Sequence, residues 1–419
     1  MEITTKRDKI VSDLSTKLVN TNINKDLKSL STHALEVSLD NEKYAVWQEN
    51  SLMSGRFGII TMMLNLNNFS NQQFNNQFSA ALNSVQQNQG VSIFDGLSGV
   101  GNVLLSTNKF DFKNIINQIT HYLDGVTNNL SSGVSDTFIE HGYGLSGIGQ
   151  FYLQRYDSGE DVSDTILKIQ DYYINRFQTN LDYNQLINEW SFPTAGQDSI
   201  DVNLSVSHGI AGVMIFLLDS SIRLGNRKKV DILIQKMHHI ISKNYKWDND
   251  NLFRTYAMNL DTNTNILDVS RNDSWCYGTL GFEIAMLKYA IYKHDNLEIA
   301  NSLKSIKYVV ENPMYTDNFS ICHGLAGSLL IGKIINKFFK KDIIDISESE
   351  KRLLDGYSST EYFGYADKKF GAIDDPDYLT TDLGMLTGIS GIVYSLSLNT
   401  DINTSFDYAL GISMMNYTI

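Results

Sequence analysis

Seven times along this chain, two glycines stand three residues apart at the head of an apolar run: Gly55/Gly58, Gly96/Gly99, Gly144/Gly147, Gly209/Gly212, Gly278/Gly281, Gly324/Gly327 and Gly388/Gly391. Successive first glycines lie 41, 48, 65, 69, 46 and 64 residues apart, which leaves room for two helices and their loops in each interval. The run after each pair is apolar nearly all round, as in Val213–Leu218, Phe282–Leu287 and Ile392–Leu396. Helices without a polar face are buried on every side. The intervening segments carry a single apolar stripe, at Phe74, Phe78, Leu82 and Val85, at Val230, Leu233, Ile234, Met237 and Ile241, and at Ile299, Leu303, Ile306 and Val310; these are one-sided helices. The alternation predicts an all-α fold, an α/α toroid of seven inner helices sheathed by seven outer ones, forming one domain over residues 1–419. Lacking Cβ atoms, the glycines let inner helices begin close to the centre and make the tight turn in from the preceding loop.

Residues 176–206 fit the repeat least well. Ile200–Val206 alternates like a strand and Glu189–Gly196 reads as a turn-rich excursion, so this stretch is expected to be an insertion with some β structure. Tyr365–Thr381, with Asp374-Asp-Pro-Asp377, is expected to be a surface loop. The segment Met1–Lys9 lacks the apolar core of a secretory signal, and no run of about 18 apolar residues could span a bilayer. A cytoplasmic location is therefore expected. A formal net charge of −13 without a clustered Lys/Arg face argues against nucleic acid as a partner. Two cysteines, Cys276 and Cys322, are too few for a disulfide scaffold and fit metal binding or catalysis in a reducing compartment.

In a closed ring, residues at one offset from the first glycine point to one region. The two positions before that glycine read Ser207-His208, Cys276-Tyr277 and Cys322-His323 in three consecutive repeats. Two thiolates and one imidazole, with a fourth position open to water or substrate, match a catalytic zinc site holding Cys276, Cys322 and His323. An incoming thiol would be deprotonated there and held as a nucleophile. His208 is either a fourth ligand or an acid/base group, since an imidazole titrates near working pH. Glu140, four residues before the third first glycine, is a candidate to orient it; a solvated carboxylate is the plain alternative. His141 is a further ligand or base candidate, and Asp95 is expected to be a helix N-cap.

At these residues the sequence resembles the lanthionine synthetase C-like family, and within it the stand-alone lantibiotic cyclases, through the glycine repeats and the segments Ser207–Gly212, Trp275–Gly278 and Cys322–Gly324. The resemblance implies an α/α toroid with one Zn2+ held at Cys276, Cys322 and His323. It also implies a lanthipeptide cyclase that adds peptide cysteine thiols to dehydroalanine or dehydrobutyrine, forming lanthionine or methyllanthionine thioether rings. His208 matches the histidine that protonates the resulting enolate. The implied partners are a dehydrated precursor peptide (leader plus core), a separate dehydratase for which the ring leaves no room, and an export transporter. The implied location is cytoplasmic, or peripheral to the membrane through a biosynthetic complex. Glu140 departs from the family pattern, which carries Asp there, with Asp136 as its rival. Asn272-Asp273 stand where Arg-Asp is usual, with Arg271 one place further away. Two alternatives are a thiol-alkylating enzyme of the protein prenyltransferase kind, and a module that binds zinc and a thiol peptide without catalysis.

Overall fold

The computed structural model describes residues 2–23, 36–39, 42–45, 47–85, 90–107, 111–130, 139–177, 191–193, 200–257, 259–261, 270–368, 379–398 and 405–418. Asp136 and Asp374–Asp377 lie outside them. Each of the seven glycine pairs opens a helix: Arg56–Leu66, Leu97–Leu105, Leu145–Asp157, Ile210–Leu224, Thr279–Lys293, Leu325–Phe339 and Ile389–Ser397. The first glycine is the N-cap in every case and its backbone is extended, as at Gly209 and Gly278, so positive φ is not the reason for glycine. Close approach is the reason. A Cβ on Gly212 would stand 2.1 Å from the Val206 carbonyl oxygen, and one on Gly281 1.9 Å from that of Trp275. The incoming loop folds back over the first helical turn, and only a residue without a side chain fits beneath it.

The chain divides into two compact units, residues 1–90 with 310–404, and residues 91–309 with 405–419. In the second unit, Leu97–Leu105, Leu145–Asp157, Ile210–Leu224 and Thr279–Lys293 pack side by side in chain order. Lys113–Asn128, Ser163–Arg176 and Lys228–Ser242 cover the first three of them. The two layers differ in burial as the sequence requires. Ile210–Leu224 buries every residue from Ile210 to Ser221, whereas Lys228–Ser242 buries only Val230, Leu233, Ile234, Met237, Ile240 and Ile241. In the first unit, Ile389–Ser397 is flanked by Arg56–Leu66 and Leu325–Phe339, which Asn71–Val85 and Ser347–Asp355 cover. The outer partner of Ile389–Ser397 is the chain's own first helix, Glu2–Asn20.

The loops before the helices are joined edge to edge by backbone hydrogen bonds at one repeat position, two residues before the first glycine. In the second unit Phe94 N donates to Gly142 O (3.3 Å), Gly142 N to Ser207 O (2.9 Å) and Ser207 N to Cys276 O (3.4 Å). In the first, Cys322 N donates to Leu386 O (2.8 Å) and Leu386 N to Met53 O (3.0 Å). This ladder sets functional side chains from distant repeats in register.

Strands Ser191–Pro193, Ile200–Asn203 and Asn259–Asp261 form an antiparallel sheet with Ile200–Asn203 in the middle. The alternating stretch is thus a strand as expected, ending at Asn203, whose Oδ1 accepts from Ser205 N at 2.9 Å and starts the turn. Ser191–Pro193 reads as turn in the sequence and is instead an edge strand, where a proline removes no ladder bond.

Candidate metal and acid–base centre

Cys276 and Cys322 are 4% and 6% exposed, which suits thiols that act as ligands or as neutral apolar groups. Cys276 lies in the loop before Thr279–Lys293, its carbonyl held by the amides of Val206 (3.2 Å) and Ser207. Cys322 and His323 lie at the matching place before Leu325–Phe339, where His323 N donates to Ser320 Oγ at 3.4 Å. Cys276 of the second unit and Cys322 of the first thus stand at the same repeat position, with His323 beside the latter. Two soft thiolates and an imidazole fit zinc, and fit neither magnesium nor calcium, which take oxygen donors.

His208 and Glu140 meet within the second unit. His208 Nδ1 lies 3.1 Å from Glu140 Oε2, and the carboxylate also accepts the backbone N–H of Gly142 at Oε2 (2.6 Å) and of Tyr143 at Oε1 (2.5 Å). With both oxygens taking backbone donors, the carboxylate is an acceptor and Nδ1–H is the donor. Nε2 is then the nitrogen left to exchange protons.

Glu140 occupies a position that is serine in five other repeats: Ser51, Ser92, Ser205, Ser274 and Ser320. Each of these hydroxyls caps the N–H of the residue just before the first glycine, as in Ser54 N to Ser51 Oγ (2.8 Å), His208 N to Ser205 Oγ (3.2 Å) and Tyr277 N to Ser274 Oγ (3.2 Å). Glu140 makes the same cap on Tyr143 and is long enough to reach the imidazole of the next repeat.

The imidazole is held on its faces as well. Tyr143 stacks on His208 with centroids 5.6 Å apart and planes 7° from parallel, and Phe94 meets it edge-on at 6.3 Å. Residue-by-residue reading missed Tyr143. The available signal is its place immediately before a first glycine, which it shares with His208, Tyr277 and His323. His141 points elsewhere: it is fully buried, Nε2 donates to Ala409 O at 2.7 Å, and burial holds its pKa below the ordinary value. Asp95 does not cap the next helix. Gly96 is the N-cap, without a side-chain bond, and Asp95 N donates to Ser92 Oγ at 2.9 Å. Arg271 forks onto buried Asp273 (2.9 and 2.8 Å) and lies 5.0 Å over the Phe253 ring.

Residues 46–410 match the model of the lanthionine synthetase C-like protein family, and the chain belongs to that family. It is 24% identical over 229 residues to the lacticin 481/lactococcin biosynthesis protein LcnDR2 of Lactococcus lactis subsp. lactis, a match covering 45% of this chain and 24% of that protein. Over 185 residues it is 23% identical to the nisin biosynthesis protein NisC of the same organism, covering 41% and 43% respectively. The matched stretches thus span less than half of each relative. The structure is similar to that of nisin cyclase, with a TM-score of 0.69, 20% identity, and coverage of 87% of this chain and 92% of that one. That likeness shows the fold class, an all-α α/α toroid with a small β component.

Proposed function

We propose that this chain is a zinc-dependent lanthipeptide cyclase that adds a cysteine thiol of a dehydrated precursor peptide to a dehydroalanine or dehydrobutyrine residue. Family membership over residues 46–410 carries this reading, and the soft donors Cys276, Cys322 and His323 at matching repeat positions support it. Zinc, when bound by these three residues, supplies the acidification that makes a substrate thiol a thiolate at neutral pH.

His208 and Glu140 supply the proton transfer. Sulfur adds to the β-carbon of the dehydro residue, and the displaced π electron pair moves onto the adjoining carbonyl as an enolate. His208 Nε2 takes up the proton that the thiol gives up and delivers it to the α-carbon, so that S–H of one residue is exchanged for Cα–H of another and the product is an isomer of the substrate. Glu140 fixes the imidazole tautomer and ring orientation through Nδ1, while Tyr143 and Phe94 restrict rotation of the ring. The dehydro residues require a dehydratase upstream, which we assign to a separate protein, with an export transporter downstream. No helix among the described residues is long and apolar enough to cross a membrane.

Because ring closure changes no mass, the test is thiol alkylation followed by mass spectrometry on a dehydrated precursor. The parent is expected to consume thiols faster than buffer alone. His208→Ala should bind zinc and slow closure by about 10²–10⁴-fold, the usual worth of a positioned acid/base group. Equal thiol consumption with and without the parent protein contradicts the proposal.

A further inference from the structure

Three residues before each first glycine the chain carries Leu52, Ile93, His141, Val206, Trp275, Ile321 and Met385, none more than 1% exposed. Five of the seven have no polar atom in the side chain that can donate. The two exceptions, His141 and Trp275, donate to consecutive carbonyls of the C-terminal segment: His141 Nε2 to Ala409 O at 2.7 Å and Trp275 Nε1 to Leu410 O at 3.1 Å. Ala409 is the last residue of the short helix Ser405–Ala409 and Leu410 follows it directly, at the end where helical C=O groups have no partner of their own. Among the described residues His141 Nδ1 has no hydrogen-bond partner, so the bond to Ala409 alone sets the ring's tautomer.

The segment is itself firmly fixed to the second unit. Tyr408 Oη donates to Asp157 Oδ2 at 2.6 Å, and Tyr417 Oη donates to Asp219 Oδ1 at 2.7 Å, where the buried Lys288 Nζ also donates at 2.8 Å. Gly411 turns the chain beneath His141 with φ +65°, a left-handed conformation, and a Cβ there would lie 3.1 Å from Ile215 Cγ2. Two anchored ends and a fixed turn thus present two carbonyls to two loops. His141 adjoins Glu140, and Trp275 adjoins Cys276.

Resting on the function proposed above, we infer that the C-terminal segment is an internal strut: through Trp275 it positions the zinc ligand Cys276, and through His141 it positions the Glu140–His208 pair. Trp275 and His141 are positioning residues, and neither touches the reacting atoms. Their backbones move with the functional side chains beside them, so a lost donor bond is transmitted as misplacement.

The test uses the full chain with Trp275→Phe, His141→Met and His141→Gln, the last retaining an N–H donor at similar reach. Trp275→Phe is expected to keep its circular dichroism spectrum and to bind zinc about tenfold more weakly in competition with a chromogenic chelator. His141→Met should lower kcat about tenfold with KM and zinc affinity at parent values, and His141→Gln should restore most of the loss. Parent zinc affinity in Trp275→Phe, or a His141→Gln no better than His141→Met, overturns the strut. Should the parent itself close no rings or bind no zinc, the functional reading fails, and amide hydrogen exchange tests the strut independently. Trp275→Phe should then speed exchange at Val206 and Ser207, whose amides donate to Cys276 O, with the Ile210–Leu224 helix still protected. Unchanged exchange there overturns the inference.

Discussion

Replacing Glu140 with the serine that other repeats carry at this position separates proton chemistry from folding. The introduced hydroxyl would still cap the Tyr143 amide as Ser205 and Ser274 cap theirs, and Gly142 N would keep its bond to Ser207 O. The loop therefore retains its backbone partners. What is lost is the bond from His208 Nδ1 to a carboxylate at 3.1 Å, and hydrogen bonds to charged groups contribute about 1.5–3 kcal/mol. At about 1.4 kcal/mol per tenfold in rate, kcat for ring closure should fall by roughly 10–100-fold. KM and zinc content should stay at parent values, and the melting temperature should move by no more than a few degrees. Single-turnover closure of one ring, followed by thiol alkylation, reads kcat free of product release. A Glu140→Ser variant that closes rings at the parent rate refutes the role given to the carboxylate; one that loses zinc or melts far below the parent makes Glu140 structural.

Two further perturbations test the packing. Gly281→Ala sets a Cβ 1.9 Å from the Trp275 carbonyl oxygen; overpacking of this kind costs about 1–3 kcal/mol or more, and the displaced backbone adjoins Cys276, so urea unfolding should show the loss together with weakened zinc binding. Gly125→Ala is the control, because its Cβ meets nothing within 4 Å inside the helix Lys113–Asn128, and it should stabilise by about 0.5–1 kcal/mol. His238 stacks on Tyr289 with centroids 3.7 Å apart, and burial, helped by the Arg254 charge, pushes its pKa down to about 4. Below its ordinary pKa of 6.5 the unfolded chain takes up this proton first, so stability is full above about pH 6.5 and drains away toward pH 4 at up to about 1.4 kcal/mol per unit. His238→Phe should flatten that acid limb by one proton, measured by urea unfolding at about pH 7.5, above that window, and at about pH 4.5, near its lower end; an unchanged slope contradicts the assignment.

What is legible in the sequence is what repeats in it. Glycine pairs are required wherever a loop crosses its own helix start, so they mark the starts of seven helices, and Glu140, four residues before one first glycine, meets His208, one residue before the next, across 68 residues. Partnerships made by unrelated segments leave no such periodic trace. The covering of Ile389–Ser397 by Glu2–Asn20 joins the two ends of the sequence, and nothing local in either helix announces it. The donor bonds of His141 and Trp275 to Ala409 and Leu410 likewise depend on a tail whose own sequence carries no repeat. His141 looks like a ligand because histidines beside functional loops are suspect, whereas its surroundings bury it completely. Ser191–Pro193 looks like turn because Pro193 is a breaker within a sheet and acceptable only at its edge, and edge position is a property of the assembled sheet.

The central claim is that Cys276, Cys322 and His323 together hold one zinc ion, and elemental analysis of freshly purified parent, Cys276→Ala, Cys322→Ala and His323→Ala tests it most directly. About one zinc per chain in the parent and strongly reduced zinc in each variant, with circular dichroism showing all four folded, is the predicted result. Folded parent protein without zinc, or full zinc retained in any of the three variants, contradicts it.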